Sequence, residues 1–317
     1  MAVFPGKERT LWTISGAPSE TGVHAGFEAG IVPGAAVARL LHNYSLEVLP
    51  RDRAALGACR EFLPAGSRVY IASAPGETNL RIVEMASALA RAGFVPVPHI
   101  IARKLAGFRA LDDFLARLRG EAGVTSALVL GGDVTEPEGI FRSADQLLES
   151  GLFLRHEFKG VGFATYPEAH ARIPAAALDA ALAAKLHLAR TQSLDVWLVT
   201  QFCFEASPIL AHIRRLRAQG VAVPLHVGLA GPASRKSLLR YAMLCGVGAS
   251  LRALGTQSDR LGHLLLRLTP ETVLSALAPA VLSEPALGVE GLHLFTFGGV
   301  GETARWVEDI LRETVAP

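Results

Sequence analysis

The feature that most constrains the fold of this chain is an alternation of short apolar segments with longer helical ones, repeated about eight times. The apolar segments are rich in Val, Ile, Leu or Phe and lack a strict apolar–polar alternation. That pattern is typical of strands buried on both faces, as in parallel sheets. We therefore predict strands over Tyr44–Leu49, Arg68–Ser73, Val95–Ile101, Ser126–Leu130, Gly160–Thr165, Asp195–Thr200, Val223–Leu229 and Gly291–Phe297.

The segments between these strands carry apolar residues at helical spacing. Asn79–Arg91 places Ile82 and Leu89 on one stripe, and Gly93 follows as a helix stop signal. Pro174 opens a later segment at a position where a missing N–H costs little. The other predicted helices cover Leu111–Arg119, Pro174–Arg190, Pro208–Gln219, Ser234–Leu244 and Glu302–Glu313.

Eight strand–helix units of this length fit a closed (β/α)8 TIM barrel, whose usual size is about 250 residues. A doubly wound open sheet has the same alternation, and periodicity alone does not choose between the two. We predict a single barrel domain over residues 44–317, preceded by an N-terminal extension over residues 1–43 that packs on it. Residues 254–290 form an excursion that Pro270 and Pro279 are expected to break into short helices.

Charge and hydropathy exclude several classes of protein. The 31 Lys and Arg nearly balance the 29 Asp and Glu, so neither nucleic acid nor a membrane surface is an expected partner. Mean hydropathy is +0.33, yet the longest apolar runs, such as Val196–Phe204, are far shorter than the roughly 20 residues of a membrane span. With no signal peptide expected and three scattered cysteines, we predict a cytoplasmic protein without disulfides or a metal site.

In a barrel, catalytic residues lie at the C-terminal ends of strands and in the loops that follow. Glu47 is the most telling, because a carboxylate inside an apolar strand must be paired, protonated or functional. An apolar setting is expected to raise its pKa and to suit it to donate a proton near neutral pH. A structural ion pair with an arginine is the alternative interpretation.

Other polar residues follow later strands. Asp133 comes after two glycines, which let the backbone approach a ligand, although it could equally be a turn or capping residue. His99 and His170 could polarise a ligand or be structural, and Gln201 could read the amide edge of a heterocycle or make an ordinary loop contact. The glycine-rich turn 298–301 before the last helix is similar to a phosphate-binding turn, but only weakly so.

Five motifs in chain order resemble those of the methylenetetrahydrofolate reductase family. The similarity runs from about residue 44 to 230 and more loosely to the end, and the fourth and fifth motifs carry most of its weight. The motifs are Ser45-Leu46-Glu47-Val48-Leu49-Pro50, Pro98-His99, Gly132-Asp133, Tyr166-Pro167-Glu168-Ala169-His170 and Thr200-Gln201-Phe202-Cys203-Phe204.

The resemblance implies a barrel that holds FAD at its C-terminal face. There NADH or NADPH reduces the flavin, and the flavin passes hydride to 5,10-methylenetetrahydrofolate to give 5-methyltetrahydrofolate, in either physiological direction. It implies that Glu47 is the general acid that opens the folate ring, that Asp133 tunes flavin and pterin, and that Gln201 and Phe202 contact the folate. The FAD-contacting positions it implies are His99, Gly132, Asp133, Tyr166, His170, Asp179 and Lys185.

The chain also departs from the family pattern. Gly131 stands where the family has a flavin-binding arginine, and Phe297-Gly298-Gly299 replaces a Leu-Asn-Arg sequence. These departures leave open a flavin-independent reductase, with hydride passing directly from the nicotinamide to the folate. A non-catalytic folate-binding or partner protein that kept the barrel is a third reading. We further expect a homo-oligomer, because the helices are rich in apolar residues.

Overall fold

The computed structural model describes residues 33–245 and 267–315. Eight parallel strands close into a barrel in which each strand pairs with the next along the chain and the last pairs with the first. This confirms the predicted (β/α)8 barrel over the doubly wound sheet. The barrel strands are β1 Ser45–Val48, β2 Arg68–Ile71, β3 Val95–Ile101, β4 Ser126–Leu130, β5 Gly160–Thr165, β6 Asp195–Thr200, β7 Leu225–Ala230 and β8 Val289–Phe295.

Helices cover the outside of the barrel, as expected for strands buried on both faces. Two short 3₁₀ turns, Ala102–Lys104 and Pro285–Leu287, and a two-residue antiparallel pair between Ala233–Ser234 and Arg267–Leu268 complete the described elements. The helices are α1 Pro33–His42, α2 Ala55–Phe62, α3 Asn79–Arg91, α4 Phe108–Ala122, α5 Ala144–Glu149, α6 Leu152–Arg155, α7 Ala175–Thr191, α8 Ala206–Ala218, α9 Arg235–Cys245, α10 Glu271–Ser283 and α11 Val300–Val315.

Strands β3 to β6 have the predicted bounds, whereas β8 begins and ends two residues earlier than predicted. Phe297 cannot continue the strand, because its φ of 50° lies in the left-handed region. The structure also corrects the prediction that Pro279 ends a helix. Pro279 lies inside α10, where Leu274 and Leu277 pack into the core and hold the helix in place despite the missing N–H.

The predicted N-terminal extension is only partly described. Pro33–His42, near its end, form α1, which packs against α10, α11 and β8. Residues 1–32 lie outside the described part of the chain. The boundary between extension and barrel at residues 43 and 44 stays a prediction.

In–out alternation along each strand separates the helix-facing layer from the barrel interior. On β1, Leu46 and Val48 belong to the core between strands and helices, so Ser45 and Glu47 face inward. The interior is filled by a second cluster that contains Tyr70 and Trp197, whose indole Nε1 donates a hydrogen bond of 2.8 Å to the Tyr70 hydroxyl. The lower barrel is therefore a packed core.

In the described ranges, no helix has the length and apolar character needed to cross a bilayer.

Candidate functional site

The barrel interior brings one carboxylate and two imidazoles together. Glu47 Oε2 on β1 lies 3.4 Å from Nε2 of His99 on β3 and 3.9 Å from Nε2 of His293 on β8. The Glu47 side chain keeps 18% exposure, while those of His99 and His293 keep 11% and 1%. The carboxylate is thus the part of this group that is most open to a ligand.

Hydrogen bonds orient His293 toward Glu47. The Ser45 hydroxyl donates to the Leu292 carbonyl at 3.4 Å, and its oxygen lies 3.0 Å from Nδ1 of His293, at hydrogen-bond distance. This contact fixes the ring so that Nε2 faces the carboxyl group. Within the described residues, neither Nε2 of His99 nor Nε2 of His293 has a hydrogen-bond partner, although both face the Glu47 carboxylate.

The structure corrects the expectation that the pKa of Glu47 is raised. Burial raises this pKa, but the adjacent His293 and His99 imidazoles outweigh burial, so the net direction is downward. Burial lowers the pKa of His99, and the Glu47 carboxylate only partly opposes that effect. The expectation rested on an apolar setting for Glu47, whereas the folded barrel places two imidazoles beside the carboxyl group.

A fixed loop holds Asp133 at the end of β4. Gly132 has a φ of +101°, and a Cβ there would lie 2.6 Å from the Ile101 side chain, so only glycine fits. The guanidinium of Arg172 donates to the Asp133 carbonyl at 2.8 Å, and the backbone N–H of Arg103 donates to the Gly131 carbonyl at 3.0 Å. The Asp133 side chain is exposed at this edge of the barrel.

The turn after β5 positions Tyr166 and His170 as a pair. Their rings meet edge to face with centroids 5.0 Å apart, and Ala169 between them has a φ of 72°. The Arg172 backbone N–H donates to Nδ1 of His170 at 3.1 Å. Burial and the nearby Arg172 charge lower the pKa of His170, which favours a neutral ring.

At the end of β6, Gln201 and Phe202 have different environments. Gln201 is half-buried, and its backbone N–H donates to the Thr165 carbonyl at 2.8 Å, beside the Tyr166 turn. Phe202 is only 1% exposed, because Phe204, Phe295 and Phe297 pack around its ring. Phe202 therefore supports other aromatic residues at the barrel mouth.

The structure does not bring Asp179 and Lys185 to this site, which corrects the expectation that they join the other predicted flavin contacts. The Asp179 carboxylate accepts hydrogen bonds of 2.7 and 2.8 Å from Arg215 on α8. The Lys185 ammonium lies 5.0 Å from the ring centroid of Phe163, in the layer between strands and helices, and burial lowers its pKa to about 8. Both side chains belong to the helical layer.

The glycine-rich turn after β8 leads into α11. Glu302 lies in the first turn of α11, and its carboxylate lies 3.5 Å from the point a Gly299 Cβ would occupy. That this turn binds a phosphate stays a prediction.

Several site residues were missed by sequence reasoning. His293 and Ser45 flank Glu47, and Phe295, Phe297 and Tyr241 line the barrel mouth. His293 could have been noticed as a polar residue within an apolar strand. Its side chain points into the barrel like that of Glu47, which becomes clear once β8 is paired with β1. Within the described ranges, no group of three or more His, Cys, Asp or Glu has an arrangement that could hold a metal ion.

A buried histidine below the site yields a prediction on acid stability. His226 on β7 is 2% exposed, neither ring nitrogen has a partner in the described residues, and burial lowers its pKa to about 3. Below pH 6.5 the unfolded chain takes up a proton that the folded chain does not. Each pH unit should therefore remove up to about 1.4 kcal/mol from the free energy of unfolding.

We expect His226→Leu to flatten this loss between pH 6.5 and 4, measured by urea unfolding at a series of pH values. His187→Leu, at an exposed position on α7, is the control. Equal slopes for the wild type and His226→Leu would contradict the assignment.

Comparison with known proteins adds three similarities of fold. No protein-family profile matches the chain. Dihydropteroate synthase from Thermus thermophilus is 19% identical at a TM-score of 0.44, covering 86% of this chain and 92% of that one. A xylose isomerase domain protein from Planctomyces limnophilus is 12% identical at a TM-score of 0.41, covering 86% of this chain and 97% of that one. A phosphonopyruvate hydrolase is 11% identical at a TM-score of 0.42, covering 89% of this chain and 87% of that one. The barrel assignment rests on the strand pairing described above.

Proposed function

We propose that this protein is an oxidoreductase that interconverts 5,10-methylenetetrahydrofolate and 5-methyltetrahydrofolate by hydride transfer through a bound flavin. The observation that carries the proposal is the Glu47 carboxylate with two imidazoles at 3.4 and 3.9 Å, inside a barrel that opens toward Asp133 and Gln201. Opening a folate ring needs a proton at nitrogen, and a carboxyl group that has taken up a proton from water can supply one.

Part of the predicted flavin-binding set fits such a ligand. His99, Gly132 and the Tyr166–His170 pair lie at the ends of three neighbouring strands. Within the described residues, the buried Nε2 of His99 has no hydrogen-bond partner and can bond to the polar edge of a flavin. When bound, the flavin would supply the hydride acceptor and donor. With Asp179 and Lys185 engaged elsewhere, Arg172, which donates to the Asp133 carbonyl, is a cation at this edge that could face the phosphates of the flavin.

The chain's own residues would then hold and move one proton. Glu47 donates to the folate nitrogen, and water at the barrel mouth supplies the proton that restores the acid. His293, held by Ser45, lies 3.9 Å from the carboxylate. Gln201 offers both a donor and an acceptor to the amide edge of a pterin.

Visible absorbance tests the flavin directly. We expect the purified protein, reconstituted with FAD, to show flavin absorbance that bleaches when 5-methyltetrahydrofolate is added without oxygen. Tetrahydrofolate, which lacks the methyl group to be oxidised, is the control and should leave the absorbance unchanged. The proposal would be contradicted if the protein took up no flavin. It would also be contradicted if the bound flavin were reduced neither by 5-methyltetrahydrofolate nor by NADH or NADPH.

A flavin-independent reductase is the second candidate. The ion pair of Asp179 with Arg215 favours it, because this pair engages a carboxylate that was expected to hold FAD. In that case flavin-free protein would reduce methylenetetrahydrofolate with NADH or NADPH at the full rate. Activity that appears only after FAD addition would exclude it.

A further inference from the structure

Aromatic rings form a continuous wall from the Glu47 group to the rim of the barrel. The His293 ring meets Phe295 edge to face at 4.8 Å between centroids. Phe295 and Phe297 lie nearly parallel at 6.4 Å, and Phe297 stacks on Tyr241 of α9 at 4.4 Å. We call Phe295, Phe297 and Tyr241 the aromatic wall.

Backbone strain shows that the position of Phe297 is imposed by its surroundings. Its φ of 50° is unfavourable for a bulky side chain, and Gly298 with a φ of 90° completes the turn. The buried Phe202 ring packs edge-on against both Phe295 and Phe297, at 5.4 and 5.3 Å. The wall is therefore supported from behind, while its three rings stay half-buried.

A positive charge at the outer end of the aromatic wall sets the orientation that a charged ligand would take. The Arg240 guanidinium lies 6.0 Å from the ring centroid of Tyr241 and is exposed at the rim. At the inner end lie the Glu47 carboxylate and the His293 ring. A ligand along the wall would have its reacting atom inside, a ring in the middle and a negative charge outside.

We propose that the aromatic wall binds a planar aryl group of the substrate, with an anionic substituent toward Arg240, and thereby selects aryl over saturated substrates. Aromatic pairs gain about 0.5–1.5 kcal/mol beyond the apolar area they bury, and a saturated ring does not reproduce their geometry. The inference deepens the proposed function, because the aminobenzoyl-glutamate part of a folate has this chemistry. It needs no bound flavin.

Calorimetry with fragments tests the wall without turnover. The probes are 4-aminobenzoyl-glutamate and its 4-aminocyclohexanecarbonyl counterpart, which keeps the charge but not the planar ring. We expect the aryl probe to bind about tenfold more tightly than the saturated one. Phe297→Leu and Tyr241→Leu should each remove most of this preference, and Tyr241→Phe should keep it.

Phe108→Leu is the matched control, since Phe108 is 55% exposed and lies outside the wall. Thermal unfolding of each variant separates loss of binding from loss of fold. Equal affinity for both probes, no binding of the aryl probe, or a preference that survives in folded Phe297→Leu and Tyr241→Leu would overturn the inference. Because the probes carry no one-carbon unit and the assay no flavin, a protein that fails the flavin test can still pass this one.

Discussion

Glu47→Gln should lower kcat for folate conversion by about 10²–10⁴-fold, the usual contribution of a general acid. Glutamine keeps the size and hydrogen bonding of the side chain but cannot give up a proton. The pKa of Glu47 lies below its ordinary value because His293 and His99 outweigh burial. The carboxyl group is therefore ionised near neutral pH when the site is empty, so Glu47 must take up a proton from water as the substrate enters.

Steady-state kinetics of the variant check this expectation, with KM changing far less than kcat because the folate contacts remain. Glu77→Gln is the matched control, since Glu77 is a carboxylate with a fully buried side chain at this end of the barrel and pairs with Arg51 at 3.2 Å. A loss in Glu77→Gln as large as that in Glu47→Gln would point to general damage. Full activity of Glu47→Gln would refute its role as the acid.

Gly228→Ala should destabilise the barrel by about 3 kcal/mol or more, the upper range for overpacking a core. An added Cβ would lie 2.0 Å from the Thr200 carbonyl oxygen and 2.7 Å from the Phe295 ring. The carbonyl belongs to the neighbouring strand β6, so the clash can be relieved only by moving the backbone. The same displacement would reach the aromatic wall through Phe295.

Gly120→Ala, the same substitution at another position, should change the stability of the protein in the opposite direction. Gly120 lies in α4, and nothing lies within 4 Å of its added Cβ. Alanine there should stabilise the protein by about 0.5–1 kcal/mol, because glycine is a poor helix residue. Urea unfolding of both variants measures the difference, and a Gly228→Ala protein as stable as the wild type would contradict the packing of β6 against β7.

The sequence predicted the elements of the fold well where a pattern was local. Apolar runs located β3 to β6 with their observed bounds, because strands buried on both faces leave a continuous apolar signal. It failed at Pro279, where packing of α10 overrides the local preference of proline. It also misjudged the pKa of Glu47, since that value depends on imidazoles contributed by β3 and β8.

The candidate site was predictable to a similar extent. Strand-end position identified Glu47, Asp133, His99 and Gln201 as site candidates, and the structure places them at the interior or rim of one barrel. Asp179 and Lys185 were assigned by alignment along a helix, where the side chain's direction decides its partner. The aromatic wall was missed because its members come from β8, the turn after it and α9.

By itself, the sequence determined the alternation of strands and helices and the chemical groups available at the strand ends, because both follow from local periodicity and residue type. Only the tertiary structure decided that the sheet closes, with β8 pairing to β1. Closure brings Ser45 and His293, 248 residues apart in the chain, to within 3.0 Å of each other. Contacts between residues so far apart in the sequence depend on the strand register and on which side chains point into the barrel, around the whole barrel. No local sequence pattern encodes either property.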